Sequence, residues 1–288
     1  MAMPPALFPI GELLGDALPQ LVVIDVGALS HGDAIYAPLM AQGLCRVVGF
    51  EPARGACEKL RAEHGEPHIF LPHVIGDGSD GTLRLTRSPL TSSLYEPNRP
   101  LLEAFQQLGD LCEVVERLEV QTHRLDEIPE ARGATFLKLD VQGAELDVIN
   151  GATEVLSSAL VVQTEVEFLP LYEGQPLFAD VDIALRARGF VLHRLTGAGS
   201  RAFAPMLVDG DPNRGLNQWL WSDAIYVRDF LNLDALELSQ LLQAAAILHT
   251  CYGSYDLVHR FLAAHDARAP GLYAPRYLNR LQSGLDGA

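Results

Sequence analysis

Short continuous apolar runs alternate along this chain with stretches whose apolar residues recur every three or four positions. The runs are Leu21–Ile24, Arg46–Phe50, His68–Ile75, Thr135–Leu139 and Leu160–Thr164. Continuous rather than alternating runs predict strands buried on both faces, as in a parallel sheet. The intervening segments predict helices. One covers Ala53 to His64 and closes at Gly65; another carries Ala144, Val148 and Ile149 before Gly151; a third carries Val181, Ala184 and Leu185 before Gly189. Such alternation implies right-handed βαβ units and an α/β, doubly wound, Rossmann-like sheet of seven mostly parallel strands. Phe190–Leu195 and Ala224–Val227 have no long helix between them and predict a terminal antiparallel pair.

Two stretches break the rhythm. Residues 78–118 predict a short hairpin at Thr82–Thr86 and a helix over Leu101–Leu108, and residues 197–217 are rich in Gly, Pro, Asp and Asn. Loops this long in a compact domain tend to be functional or mobile. From Leu233 the period is helical only. Asp234 with Glu237 predicts a capping box. Leu238, Leu241, Leu242, Ala245 and Leu248 form one apolar stripe; Gly253 breaks it; Ser254 is positioned to cap a second helix bearing Leu257, Val258, Phe261 and Leu262. The expected organisation is an N-terminal segment 1–19, a catalytic domain 20–230 and a C-terminal helical extension 231–288 that packs on the core or forms a homodimer.

The chain has 288 residues, 48% hydrophobic and 20% charged, enough for a large core without disulfides or metals. No run approaches the ~20 apolar residues of a membrane span, so integral membrane association is not expected. Residues 1–5 have neither the basic nor the apolar stretch of a signal peptide. With 37 acidic against 21 basic residues the formal charge is −16, which disfavours nucleic-acid partners. Cys45, Cys57, Cys112 and Cys251 form no CxxC pair and read as reduced cytoplasmic thiols. No metal site is expected.

In open α/β sheets, ligands bind beyond the carboxyl ends of the strands. Here those ends are acidic: Asp25, Glu51, Asp77, Asp140 and Glu165. Singly, each could cap the next helix. The stretch Gly27-Ala28-Leu29-Ser30-His31-Gly32 is not GxGxxG, because Leu29 replaces the second glycine. An acid two places before the first glycine suits a cationic ligand better than a pyrophosphate. Glu51 can accept two hydrogen bonds from a ribose diol. Lys138, two residues before Asp140, is costly inside an apolar run unless paired.

Several segments together resemble the FkbM-type family of class I S-adenosylmethionine-dependent methyltransferases. They are Val22–Ala28, Val48-Gly49-Phe50-Glu51-Pro52, Thr91–Leu94, Gln121–Ile128 and Phe136–Ala152, the last including Lys138-Leu139-Asp140-Val141-Gln142-Gly143-Ala144-Glu145. Residues 180–195 and 223–228 match as well. The resemblance implies S-adenosylmethionine as cofactor. Asp25 and Gly27 would line its methionine and ribose side, with Ala28 and Pro52 in the same cofactor-binding set. Glu51 would hold the ribose hydroxyls, Gly76 and Asp77 would sit at the adenine edge, and Asp140 would lie near the methionine part or the acceptor. The sequence departs from the family at Leu29, where Asn is usual, and at Gln142, where Glu is usual.

The implied activity is O-methylation of a hydroxyl on a small-molecule or glycan acceptor. The candidate bases are Asp140, Glu165, Glu167, His31 and His73, with Asp140 preferred because its strand fixes its position. Thr91-Ser92-Ser93, Tyr95 and the loop around Trp219 and Trp221 are candidates for the acceptor pocket. A non-catalytic cofactor-binding or assembly relative is the alternative, motivated by Leu29, Gln142 and the helical tail. A nicotinamide-dependent oxidoreductase is a third, disfavoured by the missing glycine fingerprint.

Overall fold

The computed structural model describes residues 8–28 and 34–285, so Leu29, His31 and Gly32 lie outside the described residues. Its main sheet has seven strands: β1 (Leu21–Val26), β2 (Cys45–Phe50), β3 (Ile69–Leu71), β6 (Phe136–Leu139), β7 (Val161–Glu167), β8 (Phe190–Ser200) and β9 (Trp219–Arg228). Their order is β3-β2-β1-β6-β7-β9-β8. All pairs are parallel except those made by β9, which runs antiparallel between β7 and β8. The order reverses between β1 and β6, and the strand ends flanking that point are Val26 and Leu139.

The continuous apolar runs are explained by two cores, one on each face. Leu21, Val23, Phe136, Val161 and Val227 face one; Ile24, Val26, Leu137, Leu139 and Val162 face the other. Helix Leu238–Tyr252 lies in the first core and is buried along most of its length, with Val258, Phe261 and Tyr277 from the two helices after it. The helical tail thus covers this chain's own sheet. No helix among the described residues is long and apolar enough to cross a membrane.

Local expectations fail where a single residue or a distant partner decides. The run at 68–75 forms strand only over Ile69–Leu71, because Pro72 has no N–H to continue a ladder. Thr82–Thr86 is not a short hairpin. It belongs to β4 (Asp80–Thr86), which pairs antiparallel with β5 (Val114–Gln121) in a separate two-stranded ribbon. The helix expected at Leu101–Leu108 is two short turns, Arg99–Leu102 and Leu108–Leu111, interrupted where Gln107 takes φ 62° and Phe105 bridges to Phe203. The capping box is one turn later than expected: Gln240 accepts the N–H of Glu237, and Asp234 sits in a 3-10 turn. Ser254 makes no side-chain cap; its hydroxyl meets Nε2 of His193 at 2.8 Å.

Candidate active site

Alternation along β1 puts Asp25 on the same face as Leu21 and Val23. In the register, Lys138 on β6 lies directly across from Asp25, and Gln163 on β7 lies across from Lys138. Lys138 is 7% exposed and Asp25 1%. The ammonium sits 3.0 Å from Asp25 Oδ1 and 4.0 Å from Asp140 Oδ2. Burial alone would lower its pKa, but Asp25 and Asp140 outweigh burial and raise it, so it stays charged. Tyr36 completes the group by donating to Asp25 Oδ2 at 2.6 Å.

Above this buried row the chain turns sharply. Gly27 has φ 84°, and a Cβ there would stand 1.9 Å from the Asp140 carbonyl oxygen, so no other residue fits. Asp140 N–H in turn donates to Val26 O at 3.0 Å. Beyond Asp140, Gln142 (φ 55°) and Gly143 (φ 97°) take left-handed conformations in succession. This places the Gln142 amide between two carboxylates: Nε2 is 3.0 Å from Asp140 Oδ1 and 2.6 Å from Glu165 Oε2. Ser93 donates to Gln142 O at 2.6 Å, and the Tyr172 hydroxyl lies 3.2 Å from Gln142 Oε1. A non-glycine residue in that region costs about 1–3 kcal/mol unless its surroundings hold it, and these four contacts do so.

Behind Glu165 lie Glu145 and Glu167; each of the three offers an oxygen within 4.8 Å of the others. Glu145 accepts the N–H groups of Val141 and Gly143 at 2.8 and 3.0 Å. Burial raises its pKa to about 7 against those two bonds, with Asp140 adding to the rise. Glu165 is pushed well above the usual carboxylate range by burial and then by Asp140 and Glu167. Glu167 is pushed up by burial, Glu145 and Asp140. Three carboxyls this close must share protons or a cation.

Asp140, Gln142, Glu165 and Glu167 open into one cavity of about 560 Å³, within the ordinary range for small-molecule sites. Gly27, Glu51, Pro52, Asp140, Gln142 and Glu165 are in its wall. Asp25 lies just beneath, joined to Asp140 through Lys138. Glu51 also accepts the Ala53 N–H at 2.8 Å, so it braces the turn into helix Arg54–His64 while facing the cavity. Ala28 is packed below the wall, its N–H on Phe50 O. Gly76 and Asp77 are not in the wall; Gly76 abuts Thr122 and Gly151, and Asp77 accepts from Ser79 N–H and Oγ. His73, Val74 and Ile75 take that side of the cavity instead. Thr91, Ser92, Ser93 and Trp221 are in the wall, whereas Tyr95 turns to Asp147 at 2.9 Å. Tyr36 and Tyr172 were invisible in the sequence, since no local pattern marks a tyrosine that completes a polar group from another loop.

A reversed strand order with acidic strand tips around one cavity defines a Rossmann-like fold built for a nucleoside cofactor. The profile of the methyltransferase FkbM domain matches residues 25–192, and the chain belongs to that family of methyltransferases, whose methyl donor is S-adenosylmethionine. It is 43% identical over 182 residues to the 2-O-methyltransferase NoeI of Sinorhizobium fredii, covering 57% of this chain and 71% of that one. Among solved structures it is similar to an antibiotic-related methyltransferase, with 13% identity, 79% of this chain and 95% of that chain covered, and a TM-score of 0.31. It is also similar to a mutant 16S rRNA (adenine(1408)-N(1))-methyltransferase from Catenulisporales acidiphilia solved with its cosubstrate S-adenosylmethionine, with 14% identity, 79% and 92% covered, and a TM-score of 0.35.

Proposed function

We propose that the protein methylates a hydroxyl of a small-molecule or sugar-containing acceptor, with Glu165 as general base and Asp140 beside it orienting the reacting groups. The observation that carries this is the Gln142 amide holding Asp140 and Glu165 side by side in the cavity wall. The name of the Sinorhizobium relative, a 2-O-methyltransferase, supports a hydroxyl acceptor. The residues fit the cofactor: Glu51 offers a carboxylate to a diol, the side-chain-free surface at Gly27 admits close approach, and the acidic wall suits a sulfonium.

The bound donor supplies an activated methyl carbon, so the protein's part is alignment and removal of one proton. Burial and its acidic neighbours favour the protonated form of Glu165, which makes it a strong base once ionised. Asp140 is tied to Lys138 and Gln142 and is suited to positioning.

Two measurements test this reading. S-adenosylmethionine at ~100 times its Kd is expected to stabilise the protein by ~2.7 kcal/mol, seen as a raised Tm. A folded protein whose Tm is unmoved at millimolar donor overturns the cofactor assignment. The second is a pH effect. Glu145, pushed up to about 7, and Glu165 and Glu167, pushed well above the usual carboxylate range, favour their protonated forms, and a bound cation favours release of those protons. Donor affinity should therefore rise with pH, by up to about tenfold per unit for each proton released. S-adenosylhomocysteine, which lacks the positive sulfur, should show a flatter profile. Parallel profiles in calorimetric titrations would place the sulfonium away from these carboxylates.

A further inference from the structure

Resting on the reading of this cavity as the methyl-transfer site, we propose that the acceptor carries an aliphatic chain, which lies along the β4–β5 ribbon while its hydroxyl reaches Asp140 and Glu165. Three packed clusters account for the buried apolar side chains of the sheet and its flanking loops. Leu83, Leu85, Leu90, Leu94 and Leu118 belong to none of them, yet all five are in the cavity wall. Leu83 lies directly across from Leu118 in the ribbon, and Leu85, two positions on, shares its face. Among the described residues no packed cluster takes up these side chains; Leu83, Leu85, Leu90 and Leu94 are half-buried and Leu118 is exposed.

The leucine wall and the carboxylates are parts of one built site. Ser93, paired with Arg84 of the ribbon, donates to Gln142 O, and the Tyr172 hydroxyl donates to Thr91 O at 2.9 Å. The loop between ribbon and reactive end is therefore clamped to both. Charge is distributed to match. The wall's carboxylates, Glu51, Asp140, Glu165 and Glu167, all come from strand ends, and none comes from the ribbon. A bare sugar needs hydrogen-bond partners around its whole ring, which the leucine side does not offer. A hydroxylated head with a saturated tail satisfies both ends, because each methylene withdrawn from water favours binding about threefold to fourfold.

The test compares n-octyl and methyl β-D-glucopyranoside, below micellar concentration, by calorimetric titration with and without S-adenosylhomocysteine. The octyl compound is expected to bind at least about tenfold more tightly. A Leu83→Ser/Leu85→Ser variant, altered where no packed core is involved, should lose most of that preference while its S-adenosylhomocysteine affinity is unchanged. Equal affinities, no binding of either glycoside, or a preference that persists in the variant would overturn the proposal. So would phenyl β-D-glucopyranoside binding as tightly as the octyl compound, since the wall would then favour a ring. Failure of S-adenosylhomocysteine to bind, with the chain preference intact, would instead overturn the methyl-transfer reading alone.

Discussion

Glu165→Gln is expected to lower the rate of methyl transfer about 10²–10⁴-fold at saturating donor, the usual worth of a positioned base. Shape and size are nearly unchanged, and the substituted amide keeps an oxygen to accept from Gln142, which now donates to Glu165 at 2.6 Å. Donor affinity should remain. Stability should not fall, because one of three crowded carboxyls has been neutralised. Single-turnover measurements across pH check this: the wild-type rate should rise as Glu165 ionises, and the variant should lose that limb. A variant within about threefold of wild type would remove Glu165 from the chemistry and leave Asp140 as the base.

Lys138→Met is expected to have the largest effect on stability, a loss of about 3–5 kcal/mol. The side chain fits the strand, but the substitution leaves Asp25, 1% exposed, with an anion facing only the Tyr36 hydroxyl among its hydrogen-bond partners described above. Domains of this kind have roughly 5–15 kcal/mol in total, so denaturant midpoints would move far. The cause is checked by the double variant Asp25→Asn/Lys138→Met, which should recover most of the loss because no buried charge remains unpaired. A single variant that loses less than about 1 kcal/mol would mean that water reaches Asp25.

The sheet was legible because a strand buried on both faces is apolar over most of its length, as Leu21–Ile24, Val47–Phe50 and Phe136–Leu139 are apart from Lys138. The acidic strand tips Asp25, Glu51 and Asp140 were legible as the charges that end or follow those runs. The ribbon was not. Val114–Gln121 carries alternating charges and finds its partner at Asp80–Thr86 across a long loop, which local pattern cannot indicate. Gln142 shows a different limit. By sequence it is a charge lost beside the site; in the structure it is the donor that lets Asp140 and Glu165 stand together. That role depends on a left-handed backbone and on Ser93 and Tyr172 arriving from other loops. Gly76 and Asp77 illustrate the converse, since the strand that would have brought them to the cavity stops at Pro72.

The last strand to be synthesised, β9, lies between β7 and β8. As the chain leaves the ribosome, the open margin of β7 therefore waits for residues 219–228 before it can be closed. A fragment ended at residue 192, where the family profile stops, would present that sticky margin permanently. The exposure of that edge during synthesis is set by topology rather than by the site.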